Sequence, residues 1–514
     1  MNNTPSAEVA PATFANTASR WDLPLRIVAL AVWLGFVLFC VGLVVSHGIC
    51  CADDAWFAII AKSVARGLGY ATTFAKDVEA LQPILFNPTT GTGPALILPC
   101  AVAIKLFGVG DLVPGLTAVV CWAGALTALL LLLSRHTDGG SLLLGVASFC
   151  FAVFGTFAYH FEQWFAFIGE VPAAALLLVA HWLIAAEKFG HRAVFLSGLC
   201  MGLAVQTKYQ AVIATAGAFI IFVLQLKRCG GGWRDAGRMV ALLLAGCALP
   251  TALFELYKLS QLGLDGYGRN WQEFLVASRE MGMQSGAGVT MQLLQERMAV
   301  LYDRFALRWW GVLGVIAVAA VLFWRSAAER WRMFFTALAL SVLVSGVYWA
   351  ALSVGRPRYA ITTITMICFL FAVPVFGVVR VWQKLLCTAL AAVILSTGIQ
   401  RASYVLKLAD RGLFRPSSER LARAGLVDRI QSIQAREPVQ LASRYWGSFA
   451  DIEFLLPQSM NFRRIESVEG DPRKKLILIN SRFNELSDYG IVSARQRASS
   501  VLFSGGPYEL LEVP

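Results

Sequence analysis

The chain has 514 residues, 57% of them hydrophobic and 15% charged, and its formal net charge at pH 7 is +12. Its apolar residues form uninterrupted runs of roughly 16–22, the length that crosses a hydrocarbon core about 30 Å thick. This excludes an ordinary water-soluble protein, and the continuity of the runs excludes a β-barrel, whose strands alternate. We therefore predict a polytopic α-helical membrane protein.

The hydrophobic pattern predicts about eleven membrane spans. The first run, residues 26–46, is too long for a signal peptide and is followed by no small-residue cleavage site, so we interpret it as an uncleaved anchor. The other predicted spans are 113–133, 141–160, 171–186, 193–206, 210–226, 239–257, 309–324, 333–351, 359–379 and 385–400.

Lys and Arg gather in alternate connections between these spans, which predicts that residues 1–25 form a cytoplasmic tail. Residues 47–112 and 258–308 are then long outer loops. The apolar stretch 94–108 is short and contains a proline and a lysine, so we interpret it as an interfacial or half-inserted segment of the first loop. The positive charge follows largely from this topology, and no nucleic-acid partner is expected.

The composition changes near residue 401. Residues 26–400 are expected to form the transmembrane domain, whereas 401–514 read as a small, soluble, extracytoplasmic α/β domain. An odd number of spans places this domain outside. Its strand-like runs are PVQLASRYW, KKLILINSR and SVLFSGGPYELLEV.

Two adjacent carboxylates, Asp53 and Asp54, open the stretch DDAWFAIIAKSVARGLGY after the first span. This stretch predicts a helix along the outer membrane surface, with one of the two acids as its cap. Lys62 and Arg66 are expected to point away from its apolar face. One acid would suffice as a cap, and a carboxylate at a helix start can also act as a base, so both interpretations stay open.

A further acid, Glu170, immediately precedes the run that starts with Val171. Alone it reads as another acid at a helix start. The predicted topology, however, brings it to the same outer compartment as Asp53 and Asp54, which favours a shared acidic site.

Cationic residues are predicted on the same side. The stretch SVGRPRY places Arg356, Arg358 and Tyr359 at the outer end of a span. The two arginines either anchor the helix among lipid head groups or bind a phosphate with their planar guanidinium groups. Lys208, in QTKYQ, and Arg269, in the second long loop, are further candidates for substrate binding.

The order of these motifs resembles the GT-C superfamily of membrane glycosyltransferases, especially the branch with protein O-mannosyltransferases and the lipid A aminoarabinose transferase. The resemblance covers roughly residues 26–400. It is carried by the acidic pair, the GP of FNPTTGTGPAL, the acid of GEVPAAALL, the TK pair and RPRY. The chain departs from the pattern in having Asp-Asp where many relatives have Asp-Glu, and in lacking a Lys-Pro-Pro sequence.

The resemblance implies a catalytic role for Asp53, with Asp54 as the adjacent acid and Glu170 as the second outer acid. It implies a polyprenyl-phosphate-linked sugar as donor and a glycan, lipid or protein as acceptor. Asp53 would accept the proton of the acceptor hydroxyl, while Arg356 and Arg358 hold the departing phosphate and the anomeric configuration inverts. No spacing resembles a metal site, and the sequence leaves the assistance of a divalent metal open. The implied location is the bacterial inner membrane.

Two other classes of protein compete with this reading. A transporter or flippase of lipid-linked sugars would be expected to carry charges in the middle of spans and duplicated halves, whereas here the acids cluster at outer ends and no repeat is evident. A non-catalytic scaffold that displays the C-terminal domain would leave two long outer loops unexplained. Glycosyl transfer is the function we predict.

Overall fold

The computed structural model describes residues 20–72, 83–157, 160–186, 190–228, 232–282, 290–305, 327–377, 382–386, 388–389, 413–458, 462–465, 473–482 and 489–513. These residues form a helical bundle with a five-stranded sheet at one end. The helices that precede the sheet are α1 Asp22–His47, α2 Ala52–Ala65, α3 Pro94–Phe107, α4 Val113–Ser134, α5 Gly139–Thr156, α6 Glu170–Ile184, α7 His191–Thr207, α8 Ala216–Arg228, α9 Trp233–Gly282, α10 Met291–Phe305, α11 Glu329–Val347 and α12 Ile361–Gly377.

Seven helices in the described part of the chain are long and apolar enough to cross a membrane. They are Asp22–His47, Val113–Ser134, Gly139–Thr156, Tyr209–Arg228, Trp233–Glu280, Glu329–Leu352 and Pro357–Gly377. The predicted spans 171–186 and 193–206 coincide with the shorter helices α6 and α7, while 309–324 and most of 385–400 lie outside the described residues. The chain is a multi-pass membrane protein, and the total of about eleven spans stays a prediction.

The end of the bundle at which α1 begins carries basic side chains. Arg26 donates a hydrogen bond of 2.7 Å to the carbonyl oxygen of Ser134, and Lys384 Nζ lies 3.1 Å from Asp138 Oδ2. Helix α1 then runs to His47 at the opposite end, where α2 starts. By the charge rule the basic end faces the cytoplasm, and this orientation stays a prediction.

Aromatic rings fix the loop that leads into α6. Phe36 of α1 packs against Trp122 of α4, with ring centroids 5.9 Å apart, and against Trp164, 5.4 Å away. The indole N–H of Trp122 donates to the carbonyl oxygen of Trp164 at 2.8 Å. A buried indole with a satisfied N–H combines a large packed area with a directional contact, so the backbone before Glu170 is held in one place.

Helix α2 is enclosed on both sides, rather than lying on a surface as expected. Its residues from Asp54 to Ser63 are all buried. Helix α3 packs on it from the bundle, and helix α14, Ala450–Leu455, packs on it from the C-terminal region. The amphipathic pattern missed this because a helix covered by a second domain can tolerate polar residues that find partners there.

Lys62 shows how that covering works, and the expectation that it points away is wrong. It is 1% exposed, and its Nζ donates to the carbonyl oxygens of Glu453, Leu456 and Gln458 at 2.8, 2.7 and 2.9 Å. Three carbonyl acceptors match the three N–H donors of an ammonium group and replace its water shell. Arg66, one turn later, is exposed as expected.

The second predicted loop, 258–308, is largely helical where it is described. Helix α9 continues to Gly282 with a break at Gly263, whose φ is 66°, and α10 follows. Polar residues after the apolar run mark where the chain leaves the predicted span, but they do not end the helix.

The C-terminal region forms a mixed sheet, which confirms the predicted α/β domain. A short antiparallel pair, β1 Ala71–Thr72 and β2 Ile84–Leu85, precedes it in the first loop. The sheet has the order β4-β3-β5-β7-β6, in which β3 runs parallel to β4 and β5, and β7 runs antiparallel to β5 and β6. Its elements are helix α13 Ser418–Gln434, β3 Val439–Ser443, helix α14, β4 Phe462–Arg464, β5 Lys474–Asn480, helix α15 Tyr489–Arg497, β6 Ser500–Gly505 and β7 Tyr508–Val513.

Ion pairs join this domain to the first long loop. Arg420 Nε lies 2.9 Å from one carboxylate oxygen of Asp111, and Arg423 Nη1 lies 3.1 Å from the other. Arg423 Nε also lies 2.9 Å from Asp451. Burial would penalise these charges if they were unpaired, and pairing compensates them. The sheet domain and the first loop therefore lie at the same end of the bundle.

Candidate active site

A cavity of about 230 Å³ lies where the bundle meets the sheet domain. It is lined by α2, the two segments around residues 90 and 210, the second half of α9, the stretch before α12 and one residue of the sheet domain. The lining residues are Asp53, Trp56, Phe57, Pro88, Thr89, Thr90, Gly91, Lys208, Tyr209, Gln210, Val212, Ile213, Phe274, Ser278, Tyr348, Arg356, Arg358, Tyr359 and Trp446. The charged lining residues are one carboxylate and three cations.

Asp53 and Arg358 form an ion pair in the cavity lining. Asp53 stands in the first turn of α2, where the helix dipole favours an acid, and Arg358 stands in a 3₁₀ turn, Pro357–Ala360. Their side chains are 39% and 33% exposed, so both remain accessible from the cavity. The guanidinium of Arg358 also lies 5.4 Å from the ring centroid of Tyr359.

Asp54 is turned away from the cavity, so of the two adjacent acids only Asp53 lines it. It is fully buried and accepts hydrogen bonds of 2.9 Å from the backbone N–H groups of Cys50 and Phe167. Burial raises the pKa of its carboxyl from 3.8 to about 6, although both hydrogen bonds oppose the shift. The expectation of an acidic cap is wrong in detail, because Cys51 holds the cap position and Asp54 instead ties the start of α2 to the loop before α6.

Glu170 lies behind the cavity wall, paired with a cation that lines it. Lys208 Nζ is 2.7 Å from Glu170 Oε1, and the side chains are 5% and 1% exposed. Lys208 follows the last residue of α7, while Glu170 is the first residue of α6. The ammonium also lies 5.7 Å from the ring centroid of Phe57. Glu170 therefore orients and neutralises Lys208 rather than facing the cavity itself.

The GTGP sequence brings the segment around residue 90 against the end of α7. Thr92 forms an isolated antiparallel bridge with Lys208, and the N–H of Gly93 donates to the carbonyl oxygen of Thr207 at 3.0 Å. A Cβ atom at residue 93 would lie 2.1 Å from the carbonyl oxygen of Gln206. Only glycine permits this approach, which is why the motif starts α3 with a Gly-Pro pair.

The remaining predicted binding residues separate into two groups. Arg356 and Tyr359 line the cavity, and Arg356 is exposed. Arg269 lies exposed on the second half of α9 and is not a lining residue. In the described ranges, no group of three or more His, Cys, Asp and Glu side chains is placed to hold a metal ion.

Sequence reasoning missed Trp446, which enters the cavity wall from the sheet domain. Its ring lies 4.8 Å from that of Trp56 at an interplanar angle of 82°. The PVQLASRYW run gave a weak signal at most, an aromatic pair at the end of a predicted strand. Its role depends on domain docking, which hydrophobic periodicity does not describe.

The fold and this cavity are those of an α-helical multi-pass membrane protein with a C-terminal α/β domain. No protein-family model matches the sequence, and no curated protein matches it. Among solved structures, the chain is similar to ArnT from Cupriavidus metallidurans, a lipid A aminoarabinose transferase and GT-C glycosyltransferase. The structure bound to undecaprenyl phosphate is 12% identical, with a TM-score of 0.60 over 96% of this chain and 98% of that chain.

The apo structure of the same ArnT gives the same picture, at 14% identity and a TM-score of 0.60 over 96% of this chain and 97% of that chain. The oligosaccharyltransferase AglB from Archaeoglobus fulgidus, in complex with an inhibitory peptide and a dolichol-phosphate, is 12% identical over 95% of this chain and 74% of that chain. Its TM-score of 0.46 is too low to establish a common fold. The ArnT similarity confirms, at the level of fold, the resemblance inferred from the order of the motifs.

Proposed function

We propose that this protein is a membrane glycosyltransferase that moves a sugar from a polyprenyl-phosphate-linked donor to an acceptor hydroxyl. The observation that carries the proposal is the arrangement of Asp53 opposite Arg356, Arg358 and Lys208 around one cavity of a GT-C fold. Three cations and one carboxylate suit a reaction in which a phosphate group leaves and one proton is taken up. The ArnT structure that contains undecaprenyl phosphate supports a lipid phosphate as part of the donor.

The proposed reaction is a single displacement. The acceptor oxygen attacks the anomeric carbon as Asp53 accepts its proton, and a new carbon–oxygen bond forms. The bond between that carbon and the phosphate oxygen breaks, and the polyprenyl phosphate leaves with the bonding electrons. Guanidinium groups at Arg356 and Arg358 stabilise the negative charge that develops on the phosphate, which lowers the barrier. The anomeric configuration inverts.

The ion pair between Asp53 and Arg358 gives donor binding a second effect. The donor phosphodiester that enters the cavity offers Arg358 a second anionic partner, whose negative charge increases as the phosphate leaves. As the guanidinium turns to the phosphate, Asp53 becomes free to accept a proton. Asp53 would then be available as a base only when the donor is bound.

The two ends of the bundle support a location for this reaction. Basic side chains mark the end that the charge rule assigns to the cytoplasm, and the cavity lies at the other end. Transfer is therefore proposed on the outer face of a bacterial inner membrane, with a glycan, lipid or protein as acceptor.

The test is transfer by the purified protein in liposomes that contain polyprenyl-phosphate-linked sugars, with products identified by mass spectrometry. We expect a covalent sugar product from the wild type and a turnover at least about 100-fold lower from Asp53→Asn, because the base is removed. Asp265→Asn, at an exposed acid outside the cavity lining, is the matched control. A parallel reaction with a chelator tests for a divalent metal.

The same liposomes separate the competing function. Movement of labelled donor to the opposite leaflet without any covalent product would indicate a transporter and would overturn the proposal. So would normal turnover by Asp53→Asn. Comparing the envelope glycans of cells with and without the gene then identifies the sugar and its acceptor.

A further inference from the structure

The stretch that carries the predicted phosphate-binding arginines has little secondary structure of its own. Residues Tyr348–Leu352 form a π-helical turn, Pro357–Ala360 form a 3₁₀ turn, and residues 353–356 between them are irregular. A planar guanidinium binds a phosphate well only when its backbone is held in position. Side-chain contacts must therefore restrain residues 353–356.

Arg297 of α10 contacts the stretch directly. It is 8% exposed, and its Nη2 donates to the carbonyl oxygen of Ser353 at 3.1 Å. Its guanidinium carbon lies 5.8 Å from the ring centroid of Trp349. The indole N–H of Trp349 in turn donates to the carbonyl oxygen of Arg356 at 3.0 Å. Arg297 and Trp349 thus hold the backbone at both ends of residues 353–356.

Gly355 shows how closely the guanidinium fits. Its φ is +67°, and a Cβ atom built there would lie 0.8 Å from Arg297 Nη1. No other residue could keep both this backbone conformation and this contact. A side chain at residue 355 would therefore displace the guanidinium of Arg297.

Helix α10 is itself fixed to the bundle. Phe305 is buried, and its ring lies 5.7 Å from that of Phe157, at the end of α5, and 5.5 Å from that of His160. Leu301 is buried on the same helix. Arg297 therefore connects the irregular stretch to the rigid part of the molecule.

We infer that Arg297 is a positioning residue, which holds residues 353–356 so that Arg356 and Arg358 face the donor phosphate. The inference rests on the proposed function. Arg297 does not line the cavity, so it acts through the stretch rather than on the substrate.

The first experiment compares transfer kinetics of Arg297→Ala and Arg297→Lys with the wild type. We expect the KM for the donor to rise about tenfold and kcat to fall in Arg297→Ala, with the KM for the acceptor within about twofold, because the arginines that bind the donor phosphate and stabilise its developing charge lose their position. Arg297→Lys should recover part of this, since an ammonium can reach the Ser353 carbonyl but cannot lie flat on Gly355. Arg304→Ala, at an exposed arginine of the same helix, is the control.

A merely structural role gives a different result. Arg297→Ala would then lower the yield of folded protein, while the purified fraction would keep the donor KM of the wild type, and that result would overturn the inference.

The second experiment is a double-mutant cycle between Arg297 and Gly355. Gly355→Ala should raise the donor KM strongly in the wild type, because its methyl group displaces the guanidinium. In the Arg297→Ala background that overlap is absent, so the same substitution should have a smaller effect. Equal effects in the two backgrounds would contradict the proposed contact.

Hydrogen exchange supplies a test that needs no turnover. Backbone amides of residues 353–356 and of Arg358 should exchange faster in Arg297→Ala than in the wild type or Arg304→Ala. Unchanged exchange would overturn the inference whatever the activity. Faster exchange in a protein that transfers no sugar would instead support the restraint and overturn the proposed function.

Discussion

Asp53 and Arg358 are 305 positions apart in the chain and form an ion pair in the cavity lining. The pair joins the start of α2 to the turn before α12, so the carboxylate and the guanidinium hold each other in place. Because each is about one-third exposed, the attraction is partly screened by water and can be exchanged for a ligand.

At positions 356 and 358, just before α12, we expect the protein to need arginine and not merely a positive charge. Arg356→Lys and Arg358→Lys should each raise the donor KM by about one to two orders of magnitude, because an ammonium does not make the planar two-point contact with a phosphate. An arginine that only anchors the helix among head groups would be replaced by lysine at little cost. Transfer measured against donor concentration separates the two roles, and wild-type kinetics in both variants would exclude phosphate binding.

The buried pair of Glu170 and Lys208 should be sensitive to loss of one partner. Glu170→Gln leaves the ammonium of Lys208 buried without its counter-charge, and we expect a loss of about 3–5 kcal/mol in the free energy of unfolding. The double variant Glu170→Gln with Lys208→Met should recover stability but not turnover, since Lys208 also faces the cavity. Thermal unfolding in detergent measures the stability, and transfer assays measure the turnover. If the double variant recovered both, Lys208 would not be needed for transfer.

Asp54 should give the protein a pH-dependent stability. The folded state keeps the Asp54 proton up to a pKa of about 6, whereas the unfolded state releases it near 3.8. The contribution of Asp54 to the free energy of unfolding is therefore greatest below pH 3.8. It decreases by roughly 3 kcal/mol as the pH rises from 3.8 through 6. Unfolding of the wild type and of Asp54→Asn between pH 4 and 7 should show this slope only in the wild type. Parallel pH profiles would show that Asp54 does not titrate in this range.

The buried lysine of α2 should be needed for docking of the sheet domain. Lys62→Met keeps the length of the side chain but leaves three carbonyl oxygens without their donor, and we expect a loss of roughly 3 kcal/mol or more. Limited proteolysis should then cut the C-terminal region sooner. Lys105→Met, at an exposed lysine of the neighbouring helix α3, should behave as the wild type. Equal proteolysis of the two variants would mean that other contacts suffice.

Trp446 should matter for turnover although it belongs to the sheet domain. Trp446→Ala removes part of the cavity wall and admits water, so we expect a decrease of about tenfold in kcat/KM for the acceptor without loss of folded protein. Trp446→Phe retains a ring and should recover most of the activity. If Trp446→Ala transfers sugar normally, the sheet domain only covers the site.

Much of the bundle and part of the site could be predicted from local patterns. Apolar runs mark the spans because backbone groups must be satisfied within a helix in lipid, and RPRY and DDAW end up facing one cavity because charges collect at the ends of spans. Local sequence patterns could not predict that Arg358 pairs with Asp53 or that Lys208 pairs with Glu170, since the partners lie in different helices or turns. Nor could the opposite directions of Asp53 and Asp54, which depend on the position of the Phe167 backbone.

The burial of Lys62 and the role of Trp446 escaped for a different reason. Hydrophobic periodicity describes how a helix meets lipid or its own bundle, and it contains no information about a separate domain that covers the helix. A lysine in an apolar stretch is therefore predicted to be exposed, although three carbonyl oxygens in the C-terminal region accept its hydrogen bonds.

The three carbonyl oxygens that bind Lys62 also set an order of events during biosynthesis. Helix α2 leaves the ribosome early, but residues 453–458 are synthesised some four hundred positions later. Until then the ammonium of Lys62 must keep its water, so α2 has to remain loosely placed while the later spans insert. Asp53 then takes its final position only in the last stage of assembly, and under the proposed function a partly translated chain would transfer no sugar.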